Sequence, residues 1–343
     1  MRARISRLLP VLSAALLFGA GAALSKPFLS DVHPVMMAGV LYLSAGIGLA
    51  VWRLFKRSAE ASIQRADLPQ LSAAAIFGGL LGPILLMTGL ARMPASSASL
   101  LLNFEAPLTA LLAAALFKEH IGKLTVWGIA LITIGGAALT GLGPGNLGGA
   151  RWAWIAVVAA CLCWALDNNL TQRLSNRDPV QLAAVKGGVC GIVNVAAALA
   201  LGATLPPLKL MGEIALIGLM SYGLSLVCYL VSLRRIGTAK TAMYFALAPF
   251  IGASLAVVVL GERVTASLLV AVTFMSAGAW LGAGEKHEHM HEHNEEHEHA
   301  HEHDEHHHHH AELIKGAHSH HHSHKGLVHT HPHETDIHHR HTH

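Results

Sequence analysis

The chain is predicted to be an all-α membrane protein. It has ten transmembrane helices in two inverted five-helix repeats, followed by a disordered His-rich tail. Three observations lead there. First, 52% of the 343 residues are hydrophobic and only 13% are charged, against roughly 25% charged in a soluble domain. Of 27 histidines and 21 acids, 25 and 12 lie after Gly284, so the first 283 residues are poorer still in charge. Second, apolar runs of about 20 residues, the length that crosses a bilayer, recur along the chain. Third, Arg92–Leu139 and Arg235–Gly282 share one plan. Arg92 to Glu119 and Arg235 to Glu262 are each 27 residues, and Gly135 and Gly278 each follow 16 residues later. Pro107 and Pro249 fall one residue out of step. A repeat at about this spacing means two copies of one large unit.

The elements follow in order. Residues 1–27 carry Arg2, Arg4 and Arg7, then an apolar run. This is signal-peptide-like, but the repeat requires it as a retained first helix. The ten spans are read at 9–27, 34–53, 70–90, 94–117, 122–142, 152–173, 179–201, 211–233, 238–260 and 264–283. The domains are therefore 1–142 and 151–283, joined by the Gly-rich segment GLGPGNLGGA, and a tail at 284–343. Pro27, Pro34, Pro69, Pro94, Pro179 and Pro207 fall at span ends, where proline is best tolerated. Small residues four apart (Gly19/Ala23, Gly78/Gly82, Gly187/Gly191, Gly278/Gly282) suit close helix packing in lipid.

Orientation follows from the loops. With the N-terminus inside, 15 Lys and Arg outside the tail fall on the inner side and 5 (Lys26, Arg92, Arg151, Lys209, Arg263) on the outer. The positive-inside rule then places both termini in the cytoplasm and the protein in the inner membrane. Five helices per copy turn the second copy upside down, the plan by which many secondary transporters place one site between two gates. Nothing resembles a nucleic-acid module, and the chain is read as a transporter, not an enzyme. Cys161, Cys163, Cys190 and Cys228 all sit in apolar runs, which argues against a disulfide framework.

Both copies resemble the EamA domain of the drug/metabolite transporter superfamily. The resemblance rests on the intramembrane proline (Pro107, Pro249), the acid at the end of the same helix (Glu119 in FKEH, Glu262 in LGER) and the glycine in the next helix (Gly135, Gly278). Lys118 stands where a glycine, like Gly261, is usual. The resemblance implies a permease or exporter of small polar metabolites with a central cavity between the halves. It implies no cofactor and names no substrate.

Charges inside spans are costly, so each is a candidate for binding. Glu105 lies eleven residues into its span, about 16 Å by helix rise and near the midplane. Two readings stand: binding of a cationic group or coupling proton, or a carboxyl satisfied by its neighbours. Pro107 cannot donate to the carbonyl of Asn103, which leaves Asn103 as a candidate contact whose carbonyl is open to a ligand, an ion or water. Asp167, beside Asn168, and Lys186 fall at equal depth on neighbouring antiparallel spans, about 10 Å in, so a buried pair is expected. That pair is structural on one reading and a gate or substrate contact on the other. Tyr222, Tyr229 and Tyr244 are candidate cavity residues. Cys163 with Asp167, and Lys186 with Cys190, are spaced for one helix face, but a neighbouring ammonium argues against a soft-metal site there. Glu119 and Glu262 are read as loop-ordering residues at the membrane surface.

The tail is rich in imidazole and carboxylate, ligands for Zn, Ni, Co or Cu ions. Its predicted ligands are His287, His289, His291, His293, His297, His299, His301, His303, His306, His320, His322, His331, His333, His339 and His341. The expected partners are the lipid bilayer, a small-molecule substrate and divalent metal. The leading reading is a metabolite transporter. The alternatives are a divalent-metal exporter fed by the tail and a membrane metal sensor without transport.

Overall fold

A computed structural model describes residues 2–55, 61–117, 122–139, 150–172, 174 and 177–283, and, in the tail, 287–292, 296–301, 318–323 and 328–333. The chain divides into two units, Met1–Glu285 and Lys286–His343.

The first unit is helical. Its helices are α1 (Arg2–Ser25), α2 (Pro34–Phe55), α3 (Arg65–Ala91), α4 (Ala95–Leu116), α5 (Lys123–Leu139), α6 (Ala150–Gln172), α7 (Pro179–Ala200), α8 (Leu208–Leu233), α9 (Lys240–Leu260) and α10 (Ala266–Ala283). Among the described residues eight of these are long and apolar enough to cross a membrane. The other two, α5 and α10, are shorter apolar helices. With 17 residues α5 measures about 25 Å, slightly less than the roughly 30 Å hydrocarbon layer. The expected fifth span ran to residue 142, and its last three residues lie outside the described ones, as does most of the Gly-rich segment. Glu119 is also outside them.

Packing depends on small residues. Helices α2 and α7 lie face to face, as do α5 and α10. A Cβ at Gly46 would lie 2.7 Å from the Gly187 carbonyl carbon, and one at Gly278 would lie 2.7 Å from the Gly128 carbonyl oxygen. The backbones therefore touch, as small-residue pairs permit in lipid. Helix α1 packs on α8 and α9, and α6 on α3 and α4. The core they enclose includes Met36, Met37, Leu41, Leu86, Leu90, Leu100, Leu101 and Met275, all nearly inaccessible.

Four helices are interrupted in mid-course among the described residues. Helix α3 widens to a π-helix over Ala75–Leu81, and α8 does so over Leu219–Leu224. Helix α4 tightens to a 3-10 turn at Leu102–Phe104 and restarts at Glu105. Helix α9 breaks between Phe245 and Ala248. The restart points Glu105 and Ala248 are 143 residues apart (248 − 105), the spacing of the sequence repeat. Proline explains two of the breaks: Pro107 and Pro249 sit in the first turn of the restarted helix, where a missing N–H is tolerated.

Polar contacts tie the loops at both ends. Between α2 and α3, Ala61 bridges Arg177, and Asp67 pairs with Arg177 at 2.8 Å. Asp178 caps α7, accepting from the N–H groups of Val180 and Gln181 at 2.9 and 3.2 Å, and pairs with Arg53 at 2.9 Å. Burial pushes the Asp178 carboxyl up, but Arg53 and the two backbone N–H groups outweigh that and hold it below the usual aspartate value. At the other end Lys26 donates to the Leu90 carbonyl at 2.6 Å. Glu262 accepts from the N–H groups of Ala95 at 2.6 Å and Ser96 at 2.9 Å, capping α4.

The second unit is described at four short segments of the tail. These residues form four strands: β1 (His287–Glu292), β2 (Glu296–His301), β3 (His318–Ser323) and β4 (Val328–His333). β1 pairs antiparallel with β4, and β2 with β3. Histidine alternates with other residues at period two, the period of an extended strand. Composition alone hides that alternation.

Candidate functional site

The site is built around the interruption in α3. Pro83 follows the π-helix Ala75–Leu81. Having no N–H, it cannot serve the Gly79 carbonyl in an α pattern or the Gly78 carbonyl in a π pattern. Side chains from three other helices serve them instead. Tyr42 Oη on α2 and Trp164 Nε1 on α6 both donate to the Gly78 carbonyl at 3.1 Å. Asn194 Nδ2 on α7 donates to the Gly79 carbonyl at 3.2 Å. The Cys190 thiol reaches the Ala75 carbonyl at 3.4 Å.

The two glycines also make room. A Cβ at Gly78 would overlap the Asp167 carboxylate, and one at Gly79 would lie 2.9 Å from Cys190 Cβ. Into that space come Asp167 of α6 and Lys186 of α7. The Lys186 ammonium bonds both carboxylate oxygens, at 2.7 Å to Oδ1 and 2.6 Å to Oδ2. The Thr171 hydroxyl donates to Oδ1 at 3.0 Å. The Asp167 and Lys186 side chains are 10% and 19% accessible, so both charges are largely withdrawn from solvent and satisfied by each other. The pairing expected from equal depth is present.

Glu105 of α4 meets a different face of α6, that of Asn168 and not of Asp167, because adjacent helical residues do not share a face. It is half-buried at the restart of α4 and accepts a hydrogen bond at Oε1 from Asn168 Nδ2 at 2.9 Å. Among the described residues its Oε2 has no hydrogen-bond partner. Asn169 Nδ2 donates to the Ala165 carbonyl at 2.8 Å and the Thr109 carbonyl at 3.2 Å, and its buried Oδ1 has no partner among the described residues. One acid of the first half is thus held by an amide of the second, beside an unsatisfied buried carbonyl.

Other expected residues stand apart. Asn103 is buried and spends its amide on the Leu100 carbonyl at 2.8 Å. Tyr229 stacks edge-on against Phe245 at 4.9 Å, and Phe245 in turn meets Phe18. Tyr222 lies 5.5 Å from Tyr42, which joins this aromatic row to the Gly78 carbonyl. Tyr244 is half-buried, its carbonyl accepts from the Leu247 N–H at 3.2 Å, and its side chain makes no hydrogen bond or ring contact among the described residues. Cys163 is buried, and the Asp167 oxygens beside it are occupied by the Lys186 ammonium. Among the described residues no group of three or more His, Cys, Asp or Glu is placed to hold a metal ion. Of the predicted tail ligands, His293, His303, His306, His339 and His341 lie outside the described residues.

Sequence reasoning missed Tyr42, Trp164 and Asn194. The readable signal was Gly78 and Gly79, five and four residues ahead of Pro83, which announces orphaned carbonyls that a polar side chain in a neighbouring apolar span must reach.

Comparison with known proteins fits this geometry. The model of the EamA-like transporter family matches residues 6–141 and again residues 151–282. An uncharacterized transporter of Methanothermobacter thermautotrophicus is 31% identical over 269 residues, covering 74% of this chain and 78% of that protein. A crystal structure of another protein superposes with a TM-score of 0.60 at 18% identity, over 80% of this chain and 96% of that one, a likeness of fold alone. With two matches that together take in both groups of apolar helices, this multi-pass membrane protein belongs to the EamA-like transporter family.

Proposed function

We propose that the protein is a secondary transporter that moves small polar metabolites across the inner membrane by alternating access. Its ten apolar helices act as ten spans, in two five-helix repeats of opposite orientation with both termini in the cytoplasm. The double family match and the interruptions 143 residues apart support the duplication. Cysteines introduced at Ser58 and Gly145 label from opposite sides of the membrane on this topology; labelling from one side overturns it.

The observation that carries the reading is Glu105. It is a half-buried acid at the restart of a broken helix, with one oxygen held by Asn168 of the other half and the second unengaged among the described residues. Broken helices next to ionisable groups are where transporters bind substrate and coupling ions. Glu105 and Asn168 contact the substrate or a coupling proton. Asp167 and Lys186 hold α6 and α7 in register beside it. The His-rich tail binds divalent metal and is not required for transport.

The test is flux in proteoliposomes, with amino acids, other small metabolites and divalent metals as solutes. Glu105→Gln keeps the shape and removes the charge. It leaves expression near normal and depresses transport or its pH dependence; unchanged transport removes Glu105 from the mechanism. A chain ending at Gly284 still carries metabolites. Metal flux that survives this truncation identifies a metal exporter instead, and no flux of any solute identifies a sensor.

A further inference from the structure

The tail ladders place histidine opposite histidine. In the β1–β4 pair, His287, His289 and His291 lie in register with His333, His331 and His329. In the β2–β3 pair, His297, His299 and His301 lie in register with His322, His320 and His318. Every histidine of β1 and β2 has a histidine as its cross-strand partner, giving six rungs (3 + 3). The intervening positions are mixed: Glu288, Met290 and Glu292 stand opposite Pro332, Thr330 and Val328. His318 and His329, absent from the ligands expected from sequence, complete two of the rungs.

We propose that the unit of metal binding in the tail is the cross-strand histidine pair, and that divalent ions of the Zn or Ni type close the tail into these ladders. The inference rests on the reading that the tail takes divalent metal and is independent of what the membrane unit carries. Residues directly opposite in an antiparallel ladder have Cβ atoms about 4.5–5.5 Å apart. That separation suits two imidazole nitrogens each about 2.0–2.1 Å from one ion. Successive rungs follow at about 6.8 Å, two residues of strand rise, so neighbouring rungs hold separate ions with water in the remaining positions.

Stability argues the same way. A two-stranded ladder is marginal in water without an apolar face, and these strands offer only isolated apolar residues. The chain must also close the outer pair, β1 with β4, around the inner one, β2 with β3, at an entropic cost that grows with loop length. Ligand bonds to metal, made only when both strands are present, supply the missing stabilisation, so metal binding and ladder formation are one event.

The experiment separates pairing from simple histidine number. Two variants of the full-length protein each lose six histidines to asparagine. The first loses His287, His289, His291, His297, His299 and His301, which breaks all six rungs. The second loses His287, His289, His291, His329, His331 and His333, which removes three rungs and leaves three whole. Zinc is titrated calorimetrically into metal-free protein in detergent. Thirteen tail histidines outside the His–His rungs (25 − 12) are common to both variants. The expected result is that the second variant keeps about half of the tight zinc sites that depend on the ladders and the first keeps none. Equal losses overturn the pairing while leaving metal binding by the tail intact. No zinc binding by the unaltered protein overturns both.

Discussion

Asp167 and Lys186, on α6 and α7, are locked by two hydrogen bonds of 2.6 and 2.7 Å between one ammonium and both oxygens of one carboxylate. Removing one partner of a buried pair leaves an uncompensated charge, typically at a cost of about 3–5 kcal/mol, whereas replacing both is often tolerated. Lys186 keeps some solvent access, so the lower end of that range applies. Asp167→Asn is therefore expected to lower the melting temperature in detergent markedly, and Asp167→Asn with Lys186→Met to recover most of the loss. A double variant no better than the single one contradicts a structural role for the pair.

The pair was legible in the sequence because depth is. Two charges about seven residues inside adjacent spans meet at one level whatever the packing, since helix rise is fixed. The helices themselves were legible for a similar reason: lipid demands apolar length. The partners of Asp167 were not. That Gly78 lies beneath the carboxylate depends on a π-helix in α3, which shifts the facing of every later residue in that helix. The rotation comes from Pro83 acting together with Tyr42, Trp164 and Asn194, and no local pattern contains all four. The tail strands were not legible for another reason. Its polarity concealed a period-two alternation that strand pairing can use.

Gly78 is the position where shape alone is tested. A Cβ there meets the Asp167 carboxylate, which its two bonds to Lys186 prevent from moving aside. Overpacking of this kind costs about 1–3 kcal/mol. Gly78→Ala is expected to destabilise within that range. Gly212→Ala, where an added Cβ meets nothing within 4 Å, removes a glycine from a helix and is expected to be neutral or slightly stabilising. Thermal unfolding of the two variants side by side checks this; equal behaviour contradicts the packing.

Asp178 gives a pH dependence whose sign is fixed. Its carboxyl is lower in the folded protein than the ordinary aspartate value of about 3.9. The stabilisation is fully present above that value and is lost as pH falls through it towards the depressed folded one. Asp178→Asn retains the ability to cap α7 but loses the charge facing Arg53. The variant is expected to be less stable than the parent at pH 7, with the two converging in acid. Asp67, also held below its ordinary value, titrates alongside but is common to both proteins, so the difference isolates Asp178. A gap that persists unchanged to the acid limit contradicts the assignment.

Glu262 ties the end of α9 to the start of α4, and so the second half to the first. Its two oxygens take the first N–H groups of α4, those of Ala95 and Ser96, which no turn of their own helix can satisfy. A negative charge at a helix N-terminus is favoured by the helix dipole as well. Loss of a cap costs about 0.5–2 kcal/mol. Glu262→Ala is expected to fall in that range. Glu262→Gln keeps one carbonyl acceptor and should lose less, because one of the two N–H groups stays satisfied. If the contact ties the halves together, it also restrains the turn between α3 and α4, where Lys26 holds the Leu90 carbonyl. Amide hydrogen exchange at Ala95 and Ser96 reads this directly. Exchange is expected to speed up in Glu262→Ala, and less so in Glu262→Gln. Unchanged exchange at both amides in the alanine variant removes Glu262 from the cap.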